Sequence, residues 1–128
     1  MNTKRLDEHF LAEFSDYNFS LLIEKKIGLV GSARFKEAFF KIESILQILH
    51  QKLVAICSLD GLLHKSKFSS EEWEALQSIC LEKLKDQDAL LVLDLDNYIG
   101  DHTSEEIHYF RENLKKPIYY LSRLHTND

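Results

Sequence analysis

Proline occurs once and glycine four times in 128 residues, so long irregular loops are not expected. Basic charge is also scarce. Against 21 Asp+Glu stand 16 Lys+Arg, a formal net charge of −5, which argues against a surface built to grip a phosphate backbone and so against a nucleic-acid polymer as partner. No apolar run approaches the ~20 residues of a membrane span, so no membrane partner is expected. The opening residues Met1-Asn2-Thr3-Lys4-Arg5-Leu6-Asp7-Glu8 carry charge but no apolar stretch, which predicts no secretory signal and a cytoplasmic location. The two cysteines, Cys57 and Cys80, both sit in apolar segments and are expected as reduced, buried thiols. The six histidines show no His-Glu-x-x-His spacing and there is no Cys-x-x-Cys, so no metal is expected. Neither a Walker loop nor a dinucleotide fingerprint is present, and no cofactor is expected. What is present is a 45% hydrophobic composition, enough for one globular core.

The apolar pattern alternates between two periods. Leu6, Phe10 and Phe14 predict a leading amphipathic helix over 3–14, ended by Asp16-Tyr17-Asn18. Short apolar runs predict strands over 26–30, 53–57, 89–95 and 117–121, the last with Pro117 at its start, where a missing N–H is harmless. Helical spacing predicts helices over 33–50 (Phe35, Phe39, Ile42, Leu46, Leu49), 69–85 (Trp73, Leu76, Cys80, Leu84) and 103–115. Ser69 with Glu72, and Thr103 with Glu106, have the spacing of capping boxes. Strands alternating with helices imply an α/β fold: a flavodoxin- or Rossmann-like three-layer sandwich, its parallel sheet of about four strands ordered 2-1-3-4, with an extra N-terminal helix. The division is a helical extension over 1–24 and an α/β domain over 25–128.

In such a sheet, ligands bind outside the carboxyl ends of the strands at the switch point, here between the first and third strands. Two loops meet there. Gly31-Ser32 opens a helix, where backbone N–H groups suit a phosphate or sugar hydroxyl, and Arg34 adds a charge; the competing role is a plain turn with Ser32 as N-cap. In the second loop, Tyr98 can cover a flat ligand and Gly100 permits a sharp turn, while a tyrosine packed on its neighbours is the structural alternative. Asp94 and Asp96 make the end of the third strand acidic, with Asp96 close enough to the cleft to take ribose hydroxyls; Asp88, at the opposite end, reads as a turn residue. His64 and His102 fall in loops on the ligand side. Glu106 has two competing roles: the reciprocal partner of Thr103 in a cap, or a carboxylate facing the cleft and able to attack an electrophilic sugar carbon.

Three stretches carry a resemblance. They are Ile27-Gly28-Leu29-Val30-Gly31-Ser32-Ala33-Arg34-Phe35, then Asp88-Ala89-Leu90-Leu91-Val92-Leu93, and above all Tyr98-Ile99-Gly100-Asp101-His102-Thr103-Ser104-Glu105-Glu106-Ile107-His108-Tyr109, running on into Lys116-Pro117-Ile118-Tyr119-Tyr120-Leu121. Together they resemble the nucleoside 2-deoxyribosyltransferase-like superfamily, in its small bacterial and phage branch that reads Tyr-Ile-Gly-x-Ser-Thr-x-x-Glu-Ile. The resemblance covers about 26–121. It implies that Glu106 is a nucleophile toward C1′ of a deoxyribose, that Gly31, Ser32, Arg34, Asp96, Tyr98, Gly100, His102 and Thr103 contact a nucleoside or nucleotide, and that the chain forms a homodimer or higher homo-oligomer. The departures are specific. The superfamily's aspartate six residues before the glutamate is Gly100 here. Its aspartate in the preceding helix has no counterpart in Cys80-Leu81-Glu82-Lys83. The branch's serine is His102, and the glycine before Lys-Pro is Lys115. Two functions therefore stand open: base–sugar cleavage or transfer through Glu106, and a nucleotide- or protein-binding domain without turnover.

Overall fold

The structure is a computed structural model, described over residues 14–57 and 64–125. Four strands form one parallel sheet: β1 (Lys26–Gly31), β2 (Leu53–Ile56), β3 (Ala89–Leu93) and β4 (Ile118–Tyr120), in the order β2-β1-β3-β4. In register, Ile27 pairs with Val54 and Ala89, Gly31 with Leu93, and Leu90 with Ile118. Among the described residues three α-helices accompany the sheet: α1 (Lys36–His50), α2 (Ser70–Lys85) and α3 (Asp101–Tyr109). The parallel α/β sandwich is thus the architecture of this chain. No helix among the described residues is long and apolar enough to cross a membrane.

Because side chains alternate along a strand, the sheet feeds two cores. On one face Ile27, Leu29, Leu91 and Leu93 pack against Phe39, Ile42, Ile45 and Leu46 of α1, with Phe14, Phe19, Leu22, Leu121 and Leu124 at the margin. On the other, Val30, Leu90 and Val92 meet Leu84 of α2 and Ile107 and Phe110 at the α3 side. Every residue of β3 is buried, as befits a strand covered on both faces. Gly31 serves this packing. A Cβ there would lie 3.1 Å from both the Cβ and the carbonyl oxygen of Leu93, so glycine is needed for β1 to approach β3.

Several expectations are corrected by this geometry. β2 stops at Ile56 and β3 at Leu93, because Asp94 turns the chain and Asp96 and Asn97 follow with positive φ of 56° and 57°. The third helix begins at Asp101 rather than Thr103, with Gly100 as N-cap, and runs on into a wide π turn over Phe110–Leu114. Lys115 ends it at φ 54°, in the left-handed region that favours glycine. The cysteines are not separate thiols: Cys57, just past β2, and Cys80, on α2, form a disulfide with Cα atoms 5.2 Å apart. Of the leading helix, Leu6 and Phe10 lie outside the described residues. Phe14 sits in a turn and is buried in the chain's own core.

Candidate functional site

Parallel strands with right-handed crossovers put the start of each following helix at the carboxyl end of the sheet. The residues just after β1, the first turns of α2 and the start of α3 therefore converge. They enclose a cleft of about 280 Å³ lined by Gly31, Ser32 and Ala33 from the first loop, Trp73 from α2, and Tyr98, Gly100, Asp101, His102 and Thr103 from the third. This size is at the small end of the roughly 300–1,000 Å³ typical of small-molecule sites.

Six of the nine expected site residues line this cleft: Gly31, Ser32, Tyr98, Gly100, His102 and Thr103. Ser32 does so while its hydroxyl accepts from the Arg34 N–H at 3.3 Å, capping the short 3-10 helix Ala33–Phe35. Arg34 is turned elsewhere. Its guanidinium lies 3.9 Å from the centre of the Tyr98 ring, a cation–π contact that also fixes the tyrosine, and it is not among the groups lining the cleft. Asp96 is also elsewhere: the left-handed turn carries it to a second hollow of about 270 Å³, with Tyr17, Asp94, Ser122 and His125. Asp94 there accepts from the Ser122 N–H (2.8 Å) and Oγ (2.6 Å), tying the end of β3 to the chain beyond β4. His64 is exposed, and Asp88 donates its N–H to Lys26 O at the amino end of the sheet, as a turn residue should.

Glu106 departs most from its capping role. With the helix starting at Asp101 it is the sixth helical residue, too deep to cap, and it is only 3% exposed. It lines a small cavity with Leu29, Val30, Gly31, Phe39, Ile56 and Cys57, so Gly31 forms the wall shared with the cleft. Burial, and secondarily the charge of neighbouring Glu105, push its carboxyl up to about 8, so it holds a proton at neutral pH. One turn earlier, His102 places Nε2 3.8 Å from Glu106 Oε1. Glu105 points outward and accepts from Gln77 Nε2 of α2 at 2.9 Å.

Compared with family profiles, curated proteins and solved structures, the chain shows no match. The site is therefore argued from its own groups. Three of the lining residues were not expected as site residues: Ala33, Trp73 and Asp101. Trp73 stands 5.4 Å, ring to ring, from His102 and forms the α2 wall. The signal for it was available: a large aromatic in the first turns of a capped helix must lie at the ligand end of a parallel sheet. Asp101 was read as loop, and becomes a lining carboxylate because the helix starts two residues early. Gly100, the N-cap, has no side chain with which to cap that helix start, and the first residues of α3, Asp101, His102 and Thr103, line the cleft. Among the described residues, no group of three His, Cys, Asp or Glu is placed to hold a metal ion.

Proposed function

We propose that the cleft binds a nucleoside and acts on its base–sugar bond, as a nucleoside N-glycosidase or deoxyribosyl-transfer enzyme, with Glu106 as the carboxyl group that takes up C1′. The observation that carries this reading is Glu106 itself. A carboxyl this buried has no capping task and is costly to keep, and such groups are characteristic of working sites. The resemblance of the Tyr98–Ile107 stretch gives that group its reaction. A carboxylate attacking C1′ forms a glycosyl ester and frees the base; water or a second base then displaces the ester, and the configuration at C1′ is retained.

The lining favours an uncharged nucleoside over a nucleotide. Trp73 and Tyr98 offer aromatic surface for a base, and the helix-start amides suit sugar hydroxyls. Among the described residues no Lys or Arg lines the cleft, Arg34 is engaged by Tyr98, and Asp101 adds a negative charge. A phosphate would meet that carboxylate without a cationic side chain to offset it. Asp101 also gives the cleft a carboxylate one residue beyond the place where the resembled superfamily carries its own. The alternative, binding without turnover, draws on the departure at Gly100 and on the protonated state of Glu106.

Incubation with a panel of nucleosides and their 5′-monophosphates, with free base measured, tests the proposal. Base release from nucleosides, faster than from the monophosphates and lost in Glu106→Gln, is the expected result. Wild-type turnover in Glu106→Gln would remove Glu106 from the chemistry. Nucleoside binding with no release of base would support the binding domain.

A further inference from the structure

A carboxyl that holds its proton cannot attack C1′, and a base that departs without a proton is a poor leaving group. The placement of His102 answers both difficulties. It is the second residue of α3, so its imidazole sits at the cleft, while the i,i+4 geometry of the helix turns Nε2 toward Glu106 Oε1, 3.8 Å away. The Trp73 ring packs beside it at 5.4 Å and limits its swing.

Among the described residues, the other groups around Glu106 offer it no competing proton route. Glu105, on the same helix, faces outward to Gln77 of α2. Cys57, which lines the Glu106 cavity from the end of β2, is in the disulfide and has no thiol proton. From β1 come Leu29, Val30 and Gly31, from β2 Ile56 and from α1 Phe39, none of which titrates. Asp101, on the same helix as His102, lines the cleft side.

We propose that His102 relays the proton of Glu106 to the departing base, so that one carboxyl supplies first the acid and then the nucleophile. The inference rests on the base–sugar reading above. As the C1′–N bond breaks, its electron pair goes to the base nitrogen, which takes a proton from His102. His102 recovers one from the Glu106 carboxyl, and the carboxylate so formed bonds to C1′. Carboxylic acid and nucleoside become glycosyl ester and neutral base. Water then splits the ester to the free sugar and returns the proton to Glu106, so the cycle needs no further reagent.

The test separates proton donation from mere support. The substrates are a purine 2′-deoxynucleoside and its N7-methylated counterpart, whose cationic base departs neutral and needs no proton. At about pH 6 Glu106 holds the proton that the relay passes on. There His102→Gln should cleave the unmodified nucleoside at least about 100-fold more slowly than wild type, with a loss at least about tenfold smaller on the methylated one, whose base takes no proton. Equal losses on both substrates, or none on either, overturn the relay while leaving the base–sugar reading standing. A wild-type chain that releases base from neither substrate overturns both. Independently of turnover, the NMR titration of the His102 ring should be displaced by Glu106→Gln. An unchanged titration overturns the relay.

Discussion

The helices α2 and α3 carry the same signature at their starts, a hydroxyl residue with glutamate three places on, and use it in opposite ways. At α2 the Ser69 hydroxyl accepts from the Glu72 N–H at 3.1 Å and the Glu72 carboxylate accepts from the Ser69 N–H at 2.9 Å, out in solvent. At α3 the helix begins two residues before Thr103. Thr103 becomes an interior residue and Glu106 is turned into the sheet beside Gly31. The spacing describes what a pair can do; the point at which the preceding chain delivers the helix decides whether it does it. One glutamate is thereby a solvated cap, and the other a neutral group one turn behind a cleft.

The sharpest way to break this comparison is to make the same change in both. Glu106→Gln should lower base release by at least about 100-fold, while Glu72→Gln, which keeps its capping amide, should leave it unchanged. Equal activities in the two variants would mean the two glutamates do not differ in role. Next in size is the pH dependence of folding. Unfolded, Glu106 ionises near 4.5, and folded at about 8. The folded state therefore holds the extra proton between these values, and stability falls as pH rises through them. At about 1.4 kcal/mol per pH unit of separation, the loss is on the order of 5 kcal/mol and is complete above pH ~8. Urea denaturation from pH 5 to 9 should show that decline in wild type and Glu72→Gln and a flattened profile in Glu106→Gln. A decline that persists in Glu106→Gln would assign it to another group. Smaller again, Ser69→Ala should cost about 1 kcal/mol by loss of the cap, measured by urea denaturation at pH 7. The smallest effect is at the other helix. Gly100→Ser puts a capping hydroxyl where none exists, and a Cβ there meets nothing nearer than Tyr98 Oη at 3.4 Å. It should stabilise by a few tenths of a kcal/mol and weaken nucleoside binding, because the hydroxyl takes a helix-start amide beside the cleft. Calorimetric titration showing binding unchanged would detach those amides from the ligand.

Much of the fold was legible because its signals are local. The apolar runs 26–30 and 89–93 have a strand's length, and the helical spacing through Phe39, Ile42 and Leu46 marks the buried stripe of α1. Strand order followed from the alternation of strands with helices and from right-handed crossovers, and the order in turn placed the Gly31 and Tyr98 loops at the switch point. The site was legible as a place, since six of the nine expected residues line one cleft. It was less so as a set of directions. Whether Arg34 faces a ligand or the Tyr98 ring, and whether Asp96 turns toward the cleft or away, depends on side-chain packing and on two consecutive left-handed residues that no spacing rule encodes. The disulfide escaped for a related reason. Cys57 and Cys80 are 23 residues apart, and only the packing of α2 beside β2 brings their backbones within bridging distance.

That bond has a mechanical consequence. It pins α2 to the sheet at Cys80, and Lys83 reinforces the joint by donating from Nζ to Ile56 O at 3.1 Å. Trp73 is seven residues up the same helix, a lever arm of about 10 Å at 1.5 Å per residue. With its lower end anchored, α2 can pivot but not slide. A tilt of α2 about that fulcrum would swing the indole at the rim further than the chain beside Cys80, so that the rim of the cleft would open more than its floor at Gly31.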